Sequence, residues 1–116
     1  CRACRKRGTR RFIQTEDRQS TPCEPGVSRK VLCFDEHLMM CEISFKKGAQ
    51  GNMHAHPHRQ ITYVARGSFS FSIADETRTV KQGDSILIPP DAVHGVKALE
   101  DGMLIDVFSP MRQEFV

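Results

Sequence analysis

Three histidines and a glutamine fall within seven positions, His54-Ala55-His56-Pro57-His58-Arg59-Gln60, between Gly48 and Gly67. Another histidine, His94, follows Pro89-Pro90 downstream. Imidazole nitrogens held close together on a rigid frame are what a first-row divalent metal requires. His54, His56 and His58 repeat at period two, so an extended backbone aims them at one face, with Pro57 bending the chain near His58. The plainer alternative is a set of surface histidines. Three of them beside two spaced glycines favour the metal. Imidazole suits Zn, Ni, Fe and Cu alike, so the histidines do not choose among these ions.

A second group lies near the C-terminus, where Ile105 and Val107 alternate with Asp106 and Phe108. In a strand this places a carboxylate and an aromatic ring on the same face. A carboxylate aimed into an apolar interior is costly unless it has a partner or a task. Ser109-Pro110 ends the strand, and Arg112 follows in position to fold back over an opening. Two readings stay open on the residues alone: a rim ion pair of Asp106 with Arg112 above a core Phe108, or a reactive constellation.

These residues need a frame, and 116 residues are enough for one core and too few for two. A charged fraction of 27% and a hydrophobic fraction of 39% suit an ordinary globular protein. The net charge of +3 is unevenly spread. Residues 1–11 carry six basic groups and no acid, while the remainder carries 11 basic and 14 acidic groups. A basic tail on a mildly acidic body differs from a nucleic-acid-binding domain, whose cations cluster on a folded face. The tail reads as a solvated leader, and neither nucleic acid nor membrane is expected as a partner. No apolar run approaches a membrane span. Five cysteines, at 1, 4, 23, 33 and 41, with no apolar signal core at the start, argue for a reducing, cytoplasmic setting over a disulfide framework. Cys1-Arg2-Ala3-Cys4 has half the spacing of a zinc ribbon without a second pair; Cys33 and Cys41 read as small buried hydrophobes.

Residues 1–26 are expected to be irregular, ending in the turn-formers Thr21-Pro22-Cys23-Glu24-Pro25-Gly26. From Val27 onward the pattern is of short strands: 29–34, 38–45, 61–65, 68–73, 77–80, 85–88, 93–98 and 103–108. Ser68-Phe69-Ser70-Phe71-Ser72-Ile73 alternates most cleanly. No amphipathic helix is evident, and short strands punctuated by Gly, Pro and Asp predict an all-β sandwich or barrel.

The two histidine segments resemble the paired motifs of the cupin superfamily. Gly48, His54, His56, Gln60 and Gly67 match every spacing of the first motif, with Gln in place of Glu. Gly83, Pro89 and His94 match the second, whereas Asp91 and Ala98 depart at its Gly and Asn places. The resemblance spans residues 27–116. It implies a single-domain cupin, a jelly-roll or double-stranded β-helix barrel. One divalent transition metal (Ni, Zn, Fe or Mn) would lie inside, held by His54, His56, Gln60 and His94. A neutral amide ligand leaves the dipositive charge uncompensated, which makes such a site more electrophilic and more attractive to anions.

Within that superfamily, Asp106-Val107-Phe108-Ser109-Pro110 followed by Arg112, the His-Pro-His-x-Gln core and Ala98-Leu99-Glu100-Asp101-Gly102 look similar to the small KdgF-like cupins of pectin and alginate catabolism. That resemblance implies conversion of 4,5-unsaturated uronates into linear keto-uronates, a metal-dependent, isomerase-like reaction. Asp106, Phe108 and Arg112 are implied as its catalytic residues. Arg112 would clamp the substrate carboxylate through a bidentate fork, and Asp106 would move the proton. Phe108 would pack the sugar face and keep Asp106 dry. His58 is placed either beside the metal ligands or at the barrel mouth, against substrate. The competing classes are a metal-dependent dioxygenase on the same fold and a non-catalytic sugar-binding or sensory module. A homodimer using strands before Gly48 is expected, because sheet edges are commonly covered by pairing.

Overall fold

A computed structural model describes residues 11–116; the basic segment up to residue 10, with Cys1 and Cys4, lies outside the described residues. Ten strands follow a short 3-10 turn at Thr15–Asp17: β1 Thr21–Glu24, β2 Val27–Phe34, β3 Met39–Phe45, β4 Gln50–His54 and β5 Arg59–Arg66. They continue with β6 Ser68–Ile73, β7 Glu76–Lys81, β8 Ser85–Ile88, β9 His94–Ala98 and β10 Gly102–Ser109. A second 3-10 turn, Gln113–Phe115, closes the chain. All pairings are antiparallel, in a six-stranded sheet ordered β1-β2-β3-β10-β5-β8 and a four-stranded sheet ordered β4-β9-β6-β7. This is the expected all-β jelly roll. Among the described residues no helix is long and apolar enough to cross a membrane.

Two of the elements differ from expectation. Thr21–Glu24, read as irregular, is a strand paired with β2, Thr21 opposite Arg29. Its residues are mostly exposed, so pairing along the backbone, not apolar periodicity, makes it a strand, and Pro22 is tolerated because the strand lies at an edge. Gln50–His54 is also a strand, pairing with β9 so that His54 stands opposite His94.

The interior has two apolar clusters. One, around Val27, Phe45, Val64, Phe69, Phe71, Ile88, Ala98 and Leu104, joins the sheets at one end. Phe45 and Phe69 meet edge to face at 5.2 Å, and each such ring contributes about 1.5–3 kcal/mol by leaving water. The other, Met39, Cys41 and Phe108 with Met111 and Phe115 packed on it, lies toward the opposite end. In β6 the phenylalanines point in and the serines out, as the alternation predicts. In β5 the polarity is reversed: Gln60 and Thr62 are buried while Ile61 and Tyr63 face outward. A sheet that turns its polar residues inward is building something inside.

The motif turn positions explain themselves. Gly67 joins β5 to β6 at φ +85°, where a Cβ would meet the Asp101 carbonyl oxygen at 2.7 Å. Asp91, at the place where the second cupin motif has Gly, adopts φ +65° itself. Asp tolerates this left-handed conformation better than most residues, and its N–H donates to the His56 carbonyl at 2.8 Å. The departure from the motif therefore preserves the turn and ties it to the histidine segment.

Candidate active site

The predicted metal ligands converge from both sheets. His54 ends β4 and His94 begins β9, both in the four-stranded sheet; Gln60 stands on β5 in the six-stranded one. His56 lies on the connection that crosses between them. The available ring nitrogens of His54, His56 and His94 all fall within 4.8 Å of one another. Each ring is fixed by its Nδ1–H, which donates to a backbone carbonyl two residues away. The pairs are His54 to Asn52 at 2.8 Å, His56 to His58 at 3.1 Å and His94 to Ala92 at 2.9 Å. With Nδ1 carrying the proton, Nε2 is left as the lone-pair atom, the tautomer a metal needs.

Two observations show that the residues fit a cation. Nε2 of His94 is buried and has no hydrogen-bond partner, an expensive state for a polar atom. Burial pushes His94 down to about 4, so the ring stays neutral and cannot relieve the cost by protonation. Burial, reinforced by the Arg112 charge, pulls His56 down as well. Its Nε2 then faces Gln60 Oε1 at 2.9 Å, lone pair against lone pair. A cation shared by these atoms removes both conflicts.

Turning the Gln60 amide over would not cure the second conflict. Gln60 Nε2 donates to Thr62 Oγ1 at 2.9 Å, and Thr62 Oγ1 donates to Asp106 Oδ1 at 2.7 Å. The hydroxyl proton is already given to the carboxylate, so a turned Gln60 would bring its oxygen against the Thr62 oxygen. The chain His56–Gln60–Thr62–Asp106 thus has one direction that leaves the Gln60 oxygen facing the imidazoles. Register dictates it: Asp106 is opposite Thr62 on β5 and opposite Cys41 on β3. Thr62, fully buried, is the site residue that sequence reading passed over; it is hidden in the apolar run 61–65, although it shares its face with Gln60. Burial pushes Asp106 up to about 6 against these hydrogen bonds. Cys41, across the strand, is pushed to about 12 by burial and then by Asp106.

Asp106 and Phe108 do share the inward face, and with His54, Gln60, His94 and Arg112 they line one cavity of about 290 Å³. That is near the lower end of small-molecule sites. The rim ion pair of Asp106 with Arg112 is not formed. Arg112 Nε donates instead to Glu114 at 2.9 Å, and its guanidinium lies 5.2 Å from the Phe108 ring and 4.5 Å from the Phe115 ring. The Arg112 side chain is 13% exposed, so this contact holds it in the cavity wall. His58 is not among the residues lining this cavity and packs edge-on to His56 at 5.5 Å, beside the histidine cluster. Its contribution is the carbonyl that fixes His56.

Known proteins share this arrangement of strands. Residues 41–108 match the cupin domain family, Cupin_2. The pectin degradation protein KdgF of Dickeya dadantii (strain 3937) is 44% identical over 112 residues, covering 92% of this chain and 98% of its own. The crystal structure of an RmlC-like cupin from Shewanella frigidimarina NCIMB 400 superposes with a TM-score of 0.90 at 36% identity, over 95% of this chain and 99% of that one. KdgF from Halomonas sp. superposes with a TM-score of 0.88 at 35% identity, over 93% and 100%. With its two motifs, its barrel and these relatives, the chain belongs to the cupin family, as a small cupin of the KdgF type.

Proposed function

We propose that this chain is a metal-dependent enzyme that opens and ketonises 4,5-unsaturated uronates, the sugar ends left by lyases acting on pectin or alginate. One observation carries the reading: Asp106 stands in the cavity beside the His54–His56–His94 cluster, held by Thr62 and unpaired with any cation among the described residues. A carboxylate kept that way is free to exchange a proton. The similarity to proteins named for pectin degradation supports the substrate class.

A divalent cation held by His54, His56, His94 and Gln60 would stabilise negative charge on a substrate oxygen. The other steps belong to side chains. Asp106 takes the proton of the hydroxyl on the hemiacetal carbon. The bond from that carbon to the ring oxygen breaks, leaving an aldehyde, and its electron pair passes to the ring oxygen as an enolate. Asp106 then returns the proton to the neighbouring alkene carbon, the enolate becomes a ketone, and the carboxylate is restored. Nothing else enters or leaves. Arg112, with Nε spent on Glu114, turns its remaining N–H groups to the substrate carboxylate, and Phe108 packs the sugar face.

The test is the ultraviolet band of the conjugated enol ether. Metal-loaded protein is expected to abolish it faster than the spontaneous reaction does, and chelator-treated protein is not. Equal rates with and without protein would reject the reading.

A further inference from the structure

We infer that Arg29 is a second substrate-binding cation of this cavity, the residue that selects a carboxylate-bearing sugar over a neutral one. The inference rests on the uronate reading above.

Arg29 sits on β2 with Ile43 and Thr21 as its cross-strand neighbours, and it lines the same cavity as His54, Asp106 and Arg112. Its guanidinium carbon is 3.7 Å from the centroid of Phe115, the ring that Arg112 also approaches. Two like charges gathered on one partly buried aromatic ring repel each other unless anions balance them. Arg112 has its anion in Glu114. Arg29 has none among the described residues. Its polar contact is a weak one, Nη1–H to Cys23 Sγ at 3.5 Å. The two carboxylates that line the cavity are engaged elsewhere: Glu24 accepts from the Asn52 backbone N–H, and Asp106 accepts from Thr62. A guanidinium fork with spare donors, held over a ring at the wall of a cavity, is suited to a planar oxyanion. Of the two arginines, the one lacking a counter-charge is Arg29. A uronate carboxylate supplies that charge and sits within reach of both forks.

D-Galacturonate, a saturated uronate that cannot ketonise, separates binding from turnover. Calorimetric titration of metal-loaded Arg29→Gln with D-galacturonate is expected to show affinity about tenfold or more below the unsubstituted protein. Arg29→Lys recovers only part of it, because an ammonium lacks the fork. With the unsaturated uronate, KM rises by more than kcat falls, and the penalty disappears with the neutral methyl ester. Metal content and thermal midpoint verify that the variants are folded. Equal affinity for galacturonate in both proteins, no binding by either, or the same loss with acid and ester would overturn the inference. If the unsubstituted protein ketonises nothing yet Arg29→Gln loses galacturonate, the Arg29 site stands and the ketonisation reading falls.

Discussion

Thr62 Oγ1 donates to Asp106 Oδ1 at 2.7 Å across the β5–β10 pair, and the same hydroxyl accepts from Gln60 Nε2 at 2.9 Å. One threonine therefore connects the amide that faces His56 to the carboxylate proposed to move the proton. The Thr62 hydrogen bond lowers the Asp106 pKa against the upward push of burial. Thr62→Val keeps the shape and removes the link, so the acid limb of the kcat profile should move to higher pH. Two buried polar groups also lose a partner, at a cost of about 1–3 kcal/mol in thermal or denaturant unfolding. An unmoved acid limb would show that Thr62 does not tune Asp106.

The metal-free protein has its own pH signature. In the folded chain Asp106 holds its proton up to about 6, against an ordinary value of 3.8. At this carboxyl the folded state binds more proton than the unfolded one between those values, so its contribution to stability falls as pH rises through that window. His94, pushed down from 6.5 to about 4, and His56, also lowered, contribute the opposite slope across this window. The Asp106 share is therefore read as a difference: in urea unfolding of chelated protein, Asp106→Asn should gain stability with rising pH more steeply than the unsubstituted protein does. In the loaded protein the cation opposes the upward shift, which places the acid limb of kcat at or below about 6.

Metal and fold should be coupled through His94. Its buried Nε2 gains a partner only when a cation is bound, so loading raises the thermal midpoint; a ligand at a thousand times its Kd stabilises by about 4 kcal/mol. His94→Ala should lose both the metal and that increment. Gln60→Glu should bind the metal more tightly and, by placing a like charge near Asp106, raise the Asp106 pKa and slow turnover. Metal analysis after gel filtration and calorimetry check these outcomes.

Arg112→Ala should raise KM for the charged sugar by about tenfold or more, the scale of a charge-assisted hydrogen bond to a carboxylate. Arg112→Lys should rescue little, because the contacts to Glu114, Phe108 and Phe115 depend on the planar fork. An unchanged KM in either variant would remove the clamp.

Cys41 is buried and its thiol is pushed to about 12, whereas Cys23 and Cys33 are exposed. Alkylation of the native protein near neutral pH followed by mass mapping should label Cys23 and Cys33 and spare Cys41. Above pH 9 the unfolded chain ionises Cys41 while the folded one does not, so stability is lost as pH climbs toward about 12.

The histidine cluster was legible because spacing encodes it: Gly48, Gly67, Gly83 and Pro89 set turns, and turns set which residues meet. Asp106 and Phe108 were legible from period-two alternation, since β10 does turn both inward. Cys33 was not, because β2 pairs with a register shift between Val31 and Cys33, and the thiol ends up exposed. Strand β4 has Gly51, Asn52 and no apolar alternation; only its pairing with β9 makes it a strand. Thr62 and Arg29 were missed for a related reason. A threonine in an apolar run looks like a strand former, and an arginine in β2 looks like surface. What distinguishes them is the side of the sheet on which register places them, and register is a tertiary property.

Asp106 is proposed to move the proton at a metal centre that it does not itself build. Ketonisation of an unsaturated uronate, followed by loss of its ultraviolet band in metal-matched wild type and Asp106→Asn, tests it most directly. Equal metal content and a kcat reduced by about a hundredfold or more in the variant are expected. Equal metal content with an undiminished kcat would contradict it.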